Sequence, residues 1–288
     1  MSQFKSLIYG LKEARCNPVT VLHSMSYAAT VTYLRVLKQI VRIPSTTLRN
    51  HVGETYHSKV VRLADAKKII TINRDIEIRN LEQLLPYRHA KDIILKNPHN
   101  IVVYECPCRA QKKDPCRPTD VCLVIGDPFV DLLRMFHPYR SRRISQEEAL
   151  KILTEEDKRG HIHTAWFKRA MIDRFYAICN CCQCCCLGMK FAMDHGIDMI
   201  RPSGYLAAIG DACNGCSACM GRCQFGAIGE VDDGGQAGNH KKCFVVEERC
   251  FGCGVCERAC CRGAISMHAA PEKGAPLDIE ALALLAAT

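Results

Sequence analysis

Cysteine dominates the chemistry that this sequence can perform. The chain contains 21 cysteines in 288 residues, and the stretch CNCCQCCC at 179–186 alone holds six of them. Thiolates bind soft metal ions and iron–sulfur clusters, whereas paired thiols form disulfides in oxidising compartments. The first residues, MSQFKSLIYGLKEARCNPV, show no cleavable apolar segment. We therefore expect a cytoplasmic chain whose clustered thiols bind metal.

A cysteine repeat lies near the carboxyl end. The segments CNGCSACMGRCQFGAI at 213–228 and CFGCGVCERACCRGAI at 250–265 align at an offset of 37 residues. Each has the spacing C-x2-C-x2-C-x3-C, in which three thiolates wrap one 4Fe-4S cluster and the fourth crosses to the other. We expect one cluster on Cys213, Cys216, Cys219 and Cys260, and a second on Cys250, Cys253, Cys256 and Cys223.

The repeated segment resembles the bacterial-type two-cluster ferredoxin domain over roughly residues 203–268. The resemblance implies two 4Fe-4S clusters that transfer electrons. Gln224 and Cys261 stand where that family usually has proline, a departure that concerns the reduction potentials rather than the ligands. A pair of zinc sites is the alternative, although zinc favours two C-x2-C pairs separated by a longer gap. Between the runs, GEVDDGGQAGNHKKCFVV predicts a β-hairpin with Cys243 as a packed residue outside both ligand patterns.

A second set of cysteines lies in the middle of the chain. Two 4Fe-4S clusters would use eight of its ten thiols. Because consecutive side chains in a loop diverge, we expect neighbours such as Cys181 and Cys182 to serve different centres or to pack. A thiolate zinc site remains an alternative, as does a cluster with an open position for a substrate. The ten candidate ligands are Cys106, Cys108, Cys116, Cys122, Cys179, Cys181, Cys182, Cys184, Cys185 and Cys186.

The combination of CNCC-x-CCC with a terminal two-cluster domain is similar to a group of ferredoxin-like proteins of anaerobes over most of residues 60–268. This resemblance implies iron–sulfur binding and no particular activity. A strand ending in NIVVYE is expected to deliver the first central cysteines to their site. A capped helix is predicted over 145–160. His161 and His163 follow it, either as structural residues or as a cluster ligand or proton relay.

A basic stripe marks the predicted helix at 26–43. Arg35, Lys38, Gln39 and Arg42 occupy one arc, while Tyr33, Leu34, Val36, Leu37, Ile40, Val41 and Ile43 form the apolar side. Such a helix can lie on anionic lipid, dock a partner subunit or pack on the protein's own core. GLKEARCNPVT and PSTTLRNHVG resemble the entry to the ferredoxin subunit of respiratory complex I. That resemblance implies a complex-bound, membrane-proximal protein.

Charge and missing motifs exclude several other functions. Residues 1–179 carry 30 Lys and Arg against 18 Asp and Glu, while the remainder carries 9 against 12. The basic part lacks the interleaved aromatic residues of nucleic-acid modules, so we expect no nucleic-acid partner. No phosphate-binding G-x-x-x-x-G-K motif or dinucleotide-binding G-x-G-x-x-G motif is present. A flavin or nicotinamide, if used, belongs to a partner.

Together these patterns predict an α+β protein with a bacterial ferredoxin-like domain. We expect an amphipathic docking segment at 1–58, a central cysteine-rich mixed α/β domain at 59–202, the two-cluster domain at 203–268, and a tail at 269–288 that packs on the ferredoxin domain or on a partner. The predicted function is electron relay between redox subunits or soluble carriers, with peripheral membrane contact through 26–43. The alternative is a reductase whose central cluster binds a substrate and is fed by the ferredoxin domain. An electron-transfer subunit is favoured over a stand-alone enzyme.

Overall fold

A computed structural model describes residues 8, 30–79, 81, 92–232 and 241–285, with the side chains of 30–33 and 170 left out. Helices and strands both contribute substantially, so the predicted α+β class is confirmed. No helix in these ranges is long and apolar enough to cross a membrane.

The largest sheet among the described residues has eight strands in the order β2-β3-β4-β7-β6-β1-β8, with β5 paired to β3. Neighbouring strands run antiparallel except β1 and β8, which are parallel. Strands such as VCLVIGD and IHTAWFK are buried along nearly their whole length, because helices and loops cover both faces. The strands are β1 Tyr56–Val61, β2 Ile76–Ile78, β3 Ile93–Glu105, β4 Asp120–Asp127, β5 Ser141–Ile144, β6 Ile162–Lys168, β7 Arg174–Cys181 and β8 Ile200–Arg201.

The two faces of the sheet pack against two different cores, because successive side chains of each strand point to opposite faces. Ile101 and Val103 of β3 lie in a purely aliphatic and aromatic core, while their neighbours Val102 and Tyr104 lie in the core that contains the cysteines. Because side chains of a strand point alternately to opposite faces, every second residue reaches the same side. The sheet register therefore collects the central thiols on one face.

Between residues 30 and 195, seven helices of the described residues pack around this sheet. The predicted capped helix is confirmed, since the Ser145 hydroxyl accepts a hydrogen bond from the Glu148 N–H at 3.2 Å and Gly160 follows the helix with φ +83°. Its buried Ala149 and Leu153 enter the aliphatic core. The helices are α1 Thr30–Ile40, α2 Thr46–Thr55, α3 Leu63–Ile70, α4 Pro107–Ala110, α5 Phe129–Phe136, α6 Gln146–Lys158 and α7 Leu187–His195.

Helix α1 packs on the core of its own chain. Leu34, Leu37 and Val41 are buried in the cysteine-containing core. Val36 and Ile43, which the sequence placed on the apolar side, are 54% and 50% exposed. The buried stripe is thus narrower than predicted, because only residues three or four apart share one helix face. The helix ends at Ile40, and positions 26–29 of the predicted helix lie outside the described residues.

The C-terminal part contains two short pairs of antiparallel strands and two single-turn helices. Strand β9 pairs with β12, and β10 pairs antiparallel with β11, which confirms the predicted hairpin strands. The turn at 233–240 lies outside the described residues. The elements are β9 Tyr205–Ile209, α8 Ala218–Arg222, β10 Ile228–Asp232, β11 Lys241–Val245, α9 Val255–Ala259 and β12 Ile265–Ala269.

The tail contacts the central part of the chain. Helix α10, Ile279–Leu285, buries Ile279 and Leu282 in the aliphatic core of the large sheet. Lys68 of α3 and Asp278 form a salt bridge at 2.9 Å beside it. The expected packing of the tail on residues 203–268 is found at its start, where the Ala270 N–H donates to the Gly204 carbonyl at 2.9 Å. Further along, Ile279 and Leu282 complete the aliphatic core of the central sheet.

Candidate metal centres

Four thiols meet just beyond the end of β7. The sulfur atoms of Cys116, Cys182, Cys184 and Cys185 all lie within 4.8 Å of one another. Cys184 Sγ is 3.0 Å from Cys116 Sγ, 3.3 Å from Cys182 Sγ and 3.7 Å from Cys185 Sγ. Cys184 is exposed, whereas Cys182 and Cys185 are buried. This four-thiol group has the residue type and the proximity that a metal centre requires.

A tight turn brings three of these thiols together. Strand β7 ends at Cys181, and the N–H of Cys186 donates to the carbonyl of Cys182 at 2.9 Å before α7 begins at Leu187. Side chains in a turn do not alternate between two faces as they do in a strand. The adjacent Cys184 and Cys185 therefore join the same group, against the expectation that neighbouring thiols diverge. Cys116 arrives from the loop between α4 and β4.

Six further thiols form a second group on the same face of the sheet. The Cys186 thiol donates to Cys181 Sγ at 3.3 Å. Thiol–thiol contacts continue from Cys186 to Cys108, then to Cys106, Cys122 and Cys179. Cys181 and Cys182 therefore fall into different groups, as do Cys185 and Cys186. Four of its members are buried, and Cys108 and Cys179 are partly exposed. The six-thiol group consists of Cys106, Cys108, Cys122, Cys179, Cys181 and Cys186. The pocket that these thiols line is also bordered by Cys182 and Cys185.

A buried lysine lies beside the six-thiol group. Lys168 Nζ is 4.2 Å from the ring centroid of Tyr56 and 5.2 Å from that of Tyr176. Burial lowers the pKa of Lys168 to about 7, while nearby thiolates, that of Cys179 foremost, act in the opposite direction. A cation at this position offsets negative charge on thiolates or on a group they bind. The sequence did not single out Lys168, because nothing in its local pattern marks it.

A buried ionic network supports the loop that carries Cys106 and Cys108. Arg109 is fully buried, and its guanidinium donates to Glu156 Oε2 at 2.7 Å and to the Asn180 carbonyl at 3.2 Å. His161 Nδ1 lies 2.6 Å from the same Glu156 oxygen, and His163 Nδ1 lies 2.6 Å from Asn180 Oδ1. Both imidazoles are thus engaged by protein groups. This favours the structural interpretation of the two histidines.

Two pockets in the C-terminal part each contain four of the repeated cysteines. In each pocket three cysteines come from one run and the fourth comes from the other, which is the distribution that the crossed assignment requires. Which sulfurs bind a cluster stays a prediction. The first pocket is lined by Cys213, Cys216, Cys219 and Cys260, and the second by Cys223, Cys250, Cys253 and Cys256.

Backbone geometry repeats between the two pockets. The Ala227 N–H donates to Cys223 Sγ at 3.2 Å, and the Ala264 N–H, 37 residues later, donates to Cys260 Sγ at 3.3 Å. Such donors stabilise negative charge on a ligating sulfur. Gly252 has φ +67°, and a Cβ there would overlap the carbonyl of Tyr205 and the Ser203 hydroxyl. The loop over the second pocket therefore depends on glycine.

Thiol protonation also bears on metal binding. Burial raises the pKa of Cys253 and of Cys256 to about 12. Metal ligation requires thiolates, so binding of a metal would release protons from these groups.

Cys243 adds an unexpected fifth thiol to the first pocket. It is buried, as a packed residue would be, but it also lines the pocket, and its N–H lies 3.5 Å from Cys213 Sγ. Backbone hydrogen bonds from Cys243 and Gly215 lower the pKa of the Cys213 thiol. The spacing of Cys243 gave no signal of this position, which depends on the pairing of β11 with β10.

The C-terminal pockets and the central thiols are joined by a direct polar contact. Gln224 follows Cys223 and accepts a hydrogen bond at 2.8 Å from the N–H of Gln183, which lies between Cys182 and Cys184. The Gln224 amide also donates to the carbonyl of Gly160 at 2.8 Å. Gln224 thus links the two parts of the chain.

An ion pair reinforces the same interface. Arg258 of α9 pairs with Asp157 of α6, whose carboxylate is 5% exposed. Burial opposes ionisation of Asp157, but the nearby His163 imidazole, whose Nε2 lies 3.6 Å from Asp157 Oδ1, and the pairing with Arg258 outweigh it, so the pKa of this carboxyl is lowered.

The spacing of the sulfur atoms bears on which group each site fits. Metal–sulfur bonds of about 2.3 Å in a tetrahedron give sulfur–sulfur separations of about 3.8 Å. Four sulfur–sulfur separations in the four-thiol group run from 3.0 to 3.7 Å, so a single tetrahedral ion requires only a slight spreading of these sulfurs. A cubane, whose thiolates bind four different irons, requires these sulfurs to move apart. The donor set itself suits either group.

Comparison of the chain with family models, with curated proteins and with solved structures finds no match in any of the three. The residues and their arrangement therefore carry the functional argument. They define a cysteine-rich α+β protein with a cluster of thiols that can bind a metal ion or an iron–sulfur cluster.

Proposed function

We propose that the protein is an iron–sulfur electron-transfer protein that relays low-potential electrons through several 4Fe-4S clusters. Two clusters occupy the C-terminal pockets, and one or two more are held by the central thiols. The observation that supports this proposal most is the contact between the sites. Cys223 lines the second C-terminal pocket, and its neighbour Gln224 is hydrogen-bonded to the backbone between Cys182 and Cys184.

The residues of the chain would serve such a relay in three ways. Clusters, when bound, supply one-electron chemistry. The thiolates bind them, while the N–H groups of Ala227 and Ala264 stabilise negative charge at the ligating sulfurs. Phe225 and Phe251 stack with centroids 4.2 Å apart at the second pocket and exclude water from it. Relay requires no general acid or base.

A donor and an acceptor outside this chain complete the proposal. They are other redox subunits of a larger complex or a soluble electron carrier. Leu34 and Leu37 already pack inside the chain. A membrane contact through 26–43 would therefore rest on the basic arc and on the exposed Val36 and Ile43.

A reductase is the second candidate function. An open cleft reaches Cys108 of the six-thiol group and Cys185 of the four-thiol group from the protein surface. A central cluster beside this cleft would be accessible to a substrate and would receive electrons from the C-terminal domain.

Anaerobic purification followed by iron and sulfide counting with EPR tests the relay. About eight irons per chain would confine clusters to the C-terminal domain, and about twelve or sixteen would add one or two central cubanes. The double variant Cys116→Ser with Cys184→Ser should lose about four irons, because it removes half of the four-thiol group. Cys261→Ser, an exposed cysteine outside both repeat patterns, is the matched control and should lose none. A colourless protein that binds zinc and no iron would contradict the proposal.

A further inference from the structure

A cleft of about 420 Å³ opens between α1, the end of α4 and α7. This volume lies within the range of about 300–1,000 Å³ that small-molecule sites occupy. The basic arc of α1 faces this cleft, so the stripe seen in the sequence lines a concave surface rather than a flat one. The cationic lining residues are Arg35, Lys38, Arg42, Lys112 and Lys190.

Among the described residues, the positive charge of the cleft lining is offset by few carboxylates. The lining contains one acidic residue, Asp194, together with five lysine and arginine residues and His195. Across the described ranges, none of the five cations forms a salt bridge with a carboxylate. Arg42 instead donates to the neutral amide of Gln39 at 3.1 Å. Clustering like charges without counterions is unfavourable, and a bound anion relieves this repulsion.

The inner wall of the cleft has a different chemistry from its rim. Leu187 and Phe191 border the inner wall and are almost fully buried, and Cys108 and Cys185 present the two central thiol groups. An apolar wall under a cationic rim matches a ligand with an organic body and charged ends. The thiols place any such ligand directly beside the central metal centres.

We propose that this cleft binds a small organic anion carrying at least two carboxylate or phosphate groups. Its charged groups bind at the rim to Lys38 and Arg42, and its body lies against the inner wall that Leu187 and Phe191 border. Anion binding in the cleft does not depend on electron relay. Only a reaction of the bound ligand would rest on the proposed function, because that reaction would need electrons from the metal centres. The shared chemistry of the two ligand types is a multiply charged anion held by lysine ammonium and arginine guanidinium groups.

Calorimetric titration of the anaerobic full-length protein at low ionic strength tests the proposal. Citrate probes carboxylate binding, and inorganic pyrophosphate probes phosphate binding. The double variant Lys38→Gln with Arg42→Gln should weaken the better probe about twenty-five-fold, since each exposed charge at about 4 Å contributes roughly fivefold. Arg74→Gln with Lys151→Gln removes the same charge from exposed positions outside the cleft and should leave affinity unchanged.

The outcomes separate this proposal from its rivals. Equal weakening by the two double variants would show general attraction to a basic protein and would overturn the site. Absence of binding of either probe to the wild type would also overturn it, as would flotation with anionic vesicles that depends on Lys38 and Arg42 without binding of the small probes. Iron is counted in every sample. Probe binding to a chain that contains little iron would support the anion site and contradict the relay. Iron in the expected amount without probe binding would support the relay and contradict the anion site.

Discussion

Removal of the Gln224 side chain should weaken the interface between the C-terminal domain and the central thiols. Gln224 accepts one hydrogen bond from Gln183 N–H and donates another to the Gly160 carbonyl, both at 2.8 Å. Each such bond contributes about 1 kcal/mol, so Gln224→Ala should cost about 2 kcal/mol. With a urea dependence of about 2 kcal/mol per molar, the unfolding midpoint should fall by roughly 1 M.

The neighbouring glutamine provides a matched control. Gln183 contributes its backbone N–H, which alanine retains, and its side chain is exposed. Gln183→Ala should therefore leave the urea midpoint of the anaerobically purified protein within about 0.3 M of the wild type. Pulsed EPR of the reduced holoprotein gives a second readout for the proposed clusters, because a looser interface should weaken the magnetic coupling between a cluster on one side and a cluster on the other. Equal midpoints for the two variants, or a neutral Gln224→Ala, would refute the bridging role of Gln224.

Three further perturbations follow from the structure. Burial and the charge of Arg201 lower the pKa of Lys59 to about 8 in the folded protein, below its value in the unfolded chain. Between these two pKa values the unfolded chain binds more protons than the folded protein, so the free energy of unfolding rises with pH. Lys59→Met should reduce the rise in urea midpoint between about pH 8 and pH 10, and parallel curves for variant and wild type would contradict this. Lys168→Met removes a buried cation beside the thiols and should lower the midpoint potential of the central centre in an EPR-monitored titration, whereas exposed Lys151→Met should not shift it. Gly252→Ala should lose about four irons, while Gly263→Ala, with φ +60° and open space around its Cβ, should retain them; equal iron contents would rule out the steric argument.

Features set by local spacing were accessible from the sequence. The 37-residue repeat, the hairpin strands and the Ser145 cap each depend on residues close together in the chain. The strand ending in NIVVYE was likewise predictable from its apolar run, and it forms the end of β3. In all of these cases the interactions that form the element involve neighbouring residues, so pattern and structure coincide.

The partition of the central thiols was not accessible in this way. Cys116 and Cys184 are 68 residues apart, and their contact depends on the register of the sheet and on the loop after α4. Lys168 and Gln224 are ordinary residues in sequence, and their positions follow from long-range packing. The basic arc of α1 was recognised, but sequence could not show that it faces a cleft, because the opposite wall is supplied by α7.

The turn after β7 is shared by both central groups of thiols. Cys181 and Cys186 belong to one group, and Cys182, Cys184 and Cys185, lying between them, belong to the other. Metal bound at either group fixes backbone that the other group also needs, so part of the ordering entropy of the second site is lost when the first is filled. Metal binding at the two central groups should consequently be cooperative. A preparation grown with too little iron should contain chains with both groups occupied and chains with both groups empty, rather than chains with one group occupied.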